Sequence, residues 1–289
     1  MKIVKIILLL ISSVSLHMHS YAQDTVIYAH RGFRGLMPEN SIPAMKNALH
    51  HGADILEMDI AITKDKQAVI SHDPWLDPLI TLDAQDSAIT NTKDKPIQDY
   101  TYAEIKSFDV GSKQHPDFPK QQNFPTYIPR LADLIDSVEH YVQEKGLPKP
   151  WYSIETKTSP KRDHKVTPAP EEFVRILMDV VISKGIGDRV IIQSFDERTL
   201  EIVHSKFPKV KTMLNVSKGT LEENLARLTF KLDYYAPIPA LIDAALVQQC
   251  AEKGIKLLCG NTNNKAEIDR VLKLGVKEYC TDYPYADLP

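Results

Sequence analysis

The sequence predicts an α/β chain folded as a (β/α)8 TIM barrel with an insertion after its second strand, and three observations carry that prediction. Eight short runs rich in β-branched and other apolar residues recur along the chain. Most are separated by stretches whose apolar residues return every three or four positions, the helical period. The series fits within about 265 residues, a size and alternation that suit a closed barrel better than an open doubly wound sheet.

The chain opens with Lys2 and Lys5, an apolar run from Ile6 to about Leu16, and the small-residue pattern Ser20-Tyr21-Ala22. That is the layout of a cleavable secretory signal. The run falls short of the ~20 residues a membrane-spanning helix needs. Residues 1–22 are therefore expected to be a signal peptide that exports a 23–289 domain to the periplasm or the medium, without stable membrane insertion.

The first strand reads Thr25–Ala29, followed by a helix whose buried stripe is Ile42, Met45, Ala48 and Leu49, opened by Asn40 or Ser41 and closed by Gly52. The second strand reads Ala53–Ile60, with Gln67–Ser71 as an extra strand hairpinned to it. From about 73 to 127 the alternation stops in favour of Pro, Asp, Thr and aromatics, and the one clear helical signature is the capping box Thr101-x-x-Glu104. A connection that long is usually functional, so it is expected to lie over one rim of the barrel. The remaining strands read Trp151–Thr156, Arg189–Gln193, Val210–Asn215, Leu232–Ala236, Ile255–Cys259 and Lys277–Cys280, with helical stripes at Phe173-Ile176-Leu177-Val180 and Ile268-Val271-Leu272. No G-x-G-x-x-G follows the first strand, which weakens a nucleotide-binding reading.

A net charge of -3 and the lack of a long basic block give no electrostatic case for nucleic acid or an anionic membrane surface, and point to a small-molecule partner. Cys250, Cys259 and Cys280 have no C-x-x-C spacing and are expected to be buried free thiols.

Chemistry-bearing residues gather at strand ends. His30 and Arg31 end the first strand; Glu57 and Asp59, two apart on the second, point to one side. Near a barrel axis they would repel each other, which makes a bound cation the expected compensation. His72 follows the extra strand, and Ser153, Glu155 and Lys157 share one face of the third barrel strand. Three carboxylates without cysteine suit a hard divalent cation, Ca2+ or Mg2+. Cation, arginine and lysine together could neutralise a phosphodiester undergoing displacement, and two histidines could divide the proton transfers.

These residues resemble the glycerophosphodiester phosphodiesterase family. His30-Arg31-Gly32 with Pro38-Glu39-Asn40-Ser41 is similar to its opening motif, Gly52-Ala53-Asp54-Ile55-Leu56-Glu57-Met58-Asp59 to G-A-D-x-x-E-x-D, and Ser71-His72-Asp73 to its second histidine motif. Ile154-Glu155-Thr156-Lys157, Gln193-Ser194-Phe195-Asp196 and Thr281-Asp282-Tyr283-Pro284 resemble its later strand ends. The resemblance implies metal ligation by Glu57, Asp59 and Glu155, acid/base roles for His30 and His72, and phosphate contacts from Arg31 and Lys157. It implies a glycerophosphodiester substrate, with sn-glycerol 3-phosphate and an alcohol as products. Gln193 and Asp282 read as rim hydrogen-bonding groups. One departure is Gly260-Asn261-Thr262-Asn263 where the family often has W-T-x-N; a missing indole there is expected to open the alcohol or glycerol pocket. That gap and the aromatic insertion leave two other readings, a lysophospholipase D or sphingomyelinase D type of phosphodiesterase and a catalytically silent phospho-ligand-binding barrel.

Overall fold

The computed structural model describes residues 25–90 and 95–289; the expected signal segment lies outside them. Eight parallel strands close into a barrel: β1 (Val26–Ala29), β2 (Ile55–Ile62), β4 (Trp151–Thr156), β5 (Val190–Ser194), β6 (Lys211–Val216), β7 (Tyr234–Pro237), β8 (Lys256–Cys259) and β9 (Glu278–Thr281), with β1 hydrogen-bonded to both β2 and β9. The short β3 (Ala68–Ile70) pairs antiparallel with the end of β2, Ile60 opposite Ile70. Every expected strand is present, with ends displaced by no more than two residues, the usual latitude where neighbouring strands decide the last hydrogen bond.

The strand period of two divides each strand between two cores. Tyr28, Ile55, Ile191, Met213, Leu258 and Cys280 point inward and fill the barrel floor. The alternate residues, among them Leu56, Met58, Ile154, Ile192 and Tyr279, meet the outer helices through Met45, Leu134, Phe173, Leu177 and Ile268. Each such side chain contributes about 1.5–3 kcal/mol on burial, so the outer layer holds the helices against the sheet. Cys259 belongs to the outer core and Cys280 to the inner one, so the two thiols face opposite sides of the sheet and stay free, as expected.

The helices begin where the sequence supplies caps. Ser41 accepts from the Ala44 amide at the start of Ile42–His50, and Asp243 and Asn264 do the same for Ala244–Lys253 and Lys265–Lys273. Among the described residues no helix is long and apolar enough to cross a membrane.

The insertion packs on a core of its own, in which Leu76, Ile97, Ile105, Val110 and Ile128 cover Ala61 and Val69. The expected capping box is present at Thr101 and Glu104. Tyr100 and Phe108 stack edge to face within this small core, so those two rings serve its packing and not the catalytic mouth. Gln121 ties the insertion to the loop after β1 by donating to the Arg34 and Met37 carbonyls at 2.6 and 3.1 Å.

Candidate active site

Of the expected site residues, His30 and Arg31 stand just beyond β1, Glu57 and Asp59 within β2, Glu155 near the end of β4 with Lys157 just past it, and His72 just beyond β3. The turn after β1 is shaped by backbone geometry. Gly32 has φ +79°, and a Cβ there would lie 2.9 Å from the backbone carbon and Cβ of Ala44, so only glycine lets this turn settle on the helix Ile42–His50. Arg31 and Asn40 also take positive φ, 49° and 56°. The strained turn directs the Arg31 backbone amide at Glu57 Oε2, 2.9 Å away, while the Asn40 side-chain amide donates to Asp59 Oδ2 at 3.0 Å.

Glu57, Asp59 and Glu155 are buried, and one oxygen from each lies within 4.8 Å of the others. Register explains the convergence: β2 pairs with β4 so that Asp59 stands opposite Glu155. Gln193 of β5 donates to Glu57 Oε1 at 2.7 Å. Burial, with Asp59 and Glu155 close by, pushes the Glu57 carboxyl well above the usual carboxylate range. Burial also pushes Glu155 up, against the pull of Lys157. Asp59 goes the other way: burial opposes ionisation, but Lys157 and Arg31 outweigh it and hold the carboxyl well below its ordinary value.

Lys157 Nζ lies 3.0 Å from Asp59 Oδ1 and 2.8 Å from Glu155 Oε1. Arg31 donates to both Glu39 oxygens, at 2.9 and 3.1 Å, and its Nε lies 3.3 Å from Asp59. The Asn40 Oδ1 and Ser153 Oγ atoms are buried without a hydrogen-bond partner. Three converging buried acids, two of whose carboxyls are displaced upward by burial, fit a hard divalent cation, whose charge would relieve all three.

The two histidines are held differently. His30 Nδ1 lies 2.6 Å from Asp282 Oδ1. Burial raises the Asp282 carboxyl, but the hydrogen bond and charge of His30, with Arg34, bring it far below its ordinary value, so it is an anion and can only accept. The proton therefore sits on Nδ1, and Nε2 keeps its lone pair. Burial lowers the His30 pKa, with Asp282 opposing. Asp282 is itself fixed by Arg34 Nε at 2.8 Å and by the Asn263 amide at 2.8 Å. His72 is more open, and Asp73 Oδ1 lies 3.5 Å from its Nδ1. It lines a cleft with Glu39, Asn40, Ser71 and Asp77.

Asp282 thus does more than line the rim, and Arg34 and Asn263 had no assigned role in the sequence reading. One signal could have found the first. With β9 registered on β1 so that Ala29 meets Thr281, the next residues in each chain, His30 and Asp282, must be neighbours. At Gly260 a Cβ would begin 2.8 Å from the Pro237 carbonyl oxygen, so the loop after β8 passes close to the end of β7 there.

Comparison with known proteins bears on the same residues. The model of the glycerophosphoryl diester phosphodiesterase family matches residues 30–286. A glycerophosphodiester phosphodiesterase of Caldanaerobacter subterraneus subsp. tengcongensis is 29% identical over 264 residues, covering 90% of this chain and 95% of its own. One from Bacillus altitudinis is 28% identical over 262 residues with the same coverage of 90% and 95%. A crystal structure from Silicibacter pomeroyi DSS-3, of a protein assigned as a glycerophosphoryl diester phosphodiesterase, superposes with a TM-score of 0.81 at 26% identity over 90% of each chain. An Oleispira antarctica phosphodiesterase, solved with the product sn-glycerol-3-phosphate, shares the fold with a TM-score of 0.72 at 22% identity, covering 92% of this chain and 96% of its own.

Proposed function

The chain belongs to the glycerophosphoryl diester phosphodiesterase family and is a phosphodiesterase, and from that membership we propose that it hydrolyses glycerophosphodiesters to sn-glycerol 3-phosphate and an alcohol, using a carboxylate-bound divalent cation and the pair His30 and His72. The observation that carries the reading is the convergence of Glu57, Asp59 and Glu155 between Arg31 and Lys157, with His30 clamped by Asp282 on the adjoining strand end.

Ca2+ or Mg2+ held by the three acids would supply positive charge to a phosphoryl oxygen during displacement. Arg31 and Lys157 add cationic donors beside the same acids and contact the phosphate, stabilising charge as it develops on the non-bridging oxygens. His30, neutral and with Nε2 free to accept, takes a proton from the attacking water, while His72 passes a proton to the departing alkoxide. Glu39 and Asn40 keep Arg31 and Asp59 in place. The domain that does this runs from 23 to 289 with its insertion at about 73–127, and the leader pattern in 1–22 supports export to the periplasm or the medium.

The test is a panel of glycerophosphodiesters and lysolipids, scored for glycerol 3-phosphate release with and without chelator. Release from glycerophosphocholine or glycerophosphoethanolamine should vanish in EDTA and return with Ca2+ or Mg2+. Full activity in EDTA removes the metal from the reading, and turnover of lysolipids in excess of glycerophosphodiesters replaces the proposed substrate class.

A further inference from the structure

The two sides of the mouth leave unequal room: the His30 side chain is 14% exposed and that of His72 35%. A diester whose phosphate reaches the acids between them has one arm in a closed half and one in an open half. The glycerol arm is common to every such substrate and suits the closed half. The alcohol arm varies in size and takes the open half.

Two residues close to His72 and Lys157 have no part in the chemistry so far. Trp75 lies three residues beyond His72, and Arg162 lies in the loop after Lys157. The guanidinium carbon of Arg162 is 5.6 Å from the centroid of the Trp75 ring, and its Nη1 is 3.5 Å from the Lys157 carbonyl oxygen. Arg162 therefore spans from the insertion to the β4 loop, beside the phosphate-binding lysine.

Three other arginines are committed to acids. Arg31 pairs with Glu39, Arg34 with Glu39 and Asp282, and Arg198 with Asp163 and Asp196. Asp163, the acid next to Arg162 in the chain, is turned onto Arg198. The contacts found for Arg162 among the described residues are an indole face and a backbone oxygen. A guanidinium placed over an indole keeps the N–H groups that do not reach the Lys157 carbonyl available, and two of them can meet a carboxylate or phosphate with parallel bonds.

Resting on the proposed reaction, we infer that Arg162, steadied by Trp75, recognises an oxyanion on the alcohol arm, so that head groups bearing a carboxylate or a phosphomonoester are preferred to otherwise identical ones without it. The same stack works against quaternary ammonium head groups, because a cation already covers the indole face that would receive one and repels a second.

The experiment uses two matched pairs: glycerophosphoserine against glycerophosphoethanolamine, which differ by one carboxylate, and glycerophosphoinositol phosphate against glycerophosphoinositol, which differ by one phosphomonoester. The kcat/KM ratio within each pair is measured with the metal-loaded wild-type protein, Arg162→Ala and Arg162→Lys. The expected result is a wild-type ratio favouring the anionic member, a fall of that ratio by roughly ten- to a hundredfold in Arg162→Ala, the range for a charge-assisted hydrogen bond, and an intermediate value in Arg162→Lys, which keeps the charge and loses the fork. Preference in one pair only supports the inference and identifies the oxyanion. Cleavage of all four diesters with ratios unmoved by either substitution overturns this inference alone. Cleavage of none by the wild-type protein overturns the proposed reaction and this inference together.

Discussion

The two histidines sit on either side of one cluster of acids, yet the molecule treats them differently. His30 is carried by the barrel itself: Asp282 fixes its tautomer, Arg34 and Asn263 fix Asp282, and all four belong to strand ends or the loops that leave them. His72 hangs from the end of a three-residue strand beside the insertion, with Asp73 Oδ1 3.5 Å from its Nδ1. The contrast teaches which task each position suits. A proton acceptor needs a defined lone pair before substrate arrives, and the barrel supplies it. A proton donor at a leaving group that varies in shape gains from the freedom to adjust.

The broadest way to break the comparison is to remove each ring. His30→Ala and His72→Ala should each lower kcat by roughly 10²–10⁴-fold without loss of the folded state. Added imidazole should restore more activity to the His72 variant, since its site is open, than to the His30 variant. Near-normal turnover in either variant takes that histidine out of the mechanism, and equal rescue erases the distinction between them.

The partners come next. Asp282→Asn leaves the shape of the clamp but presents an amide to Nδ1, which favours the wrong tautomer, so kcat should fall by about 10²-fold or more. Asp73→Asn should cost at most about fivefold, the ceiling for an exposed ion pair. The pH profile adds a sign. Activity that needs neutral His30 is lost as pH falls through its pKa, which burial lowers and Asp282 partly restores. Without the Asp282 charge that restoration goes, so the acid limb should move to lower pH even as the plateau drops. A limb that moves upward, or stays in place, contradicts the assignment of His30 as the proton acceptor.

The comparison also separates what could be read in the residues from what could not. The strands were legible because β-branched runs bounded by turn residues leave few alternatives, and the period of two placed Glu57 with Asp59 and Glu155 with Lys157 correctly. Those relations are local to one strand. The partner of His30 is not local: it depends on β9 closing onto β1, a pairing between chain ends that no single segment encodes. The same holds for Arg162 over Trp75, which joins two loops 87 positions apart in the chain. Within the insertion, composition does not separate the rings that serve packing from the others, and it is packing that assigns Tyr100 and Phe108 to a separate small core.

The smallest expected effect decides whether the insertion belongs to the His30 clamp or only leans on it. Phe118 lies under the Arg34 guanidinium, 4.7 Å from ring centroid to carbon, and meets Tyr283 edge to face at 6.2 Å. Phe118→Leu removes the ring face while keeping most of the apolar volume, at a cost of about 0.5–2 kcal/mol for the lost cation–π contact. That cost should appear as a lower Tm, because Arg34 remains tied to Asp282 and Glu39 by charge. The effect on kcat should stay below about threefold, a small share of what the same lost contact could remove if it all fell on the transition state. A loss of kcat as large as that of Asp282→Asn would mean that the clamp extends through Arg34 into the insertion, and that both histidines are set by the same segment.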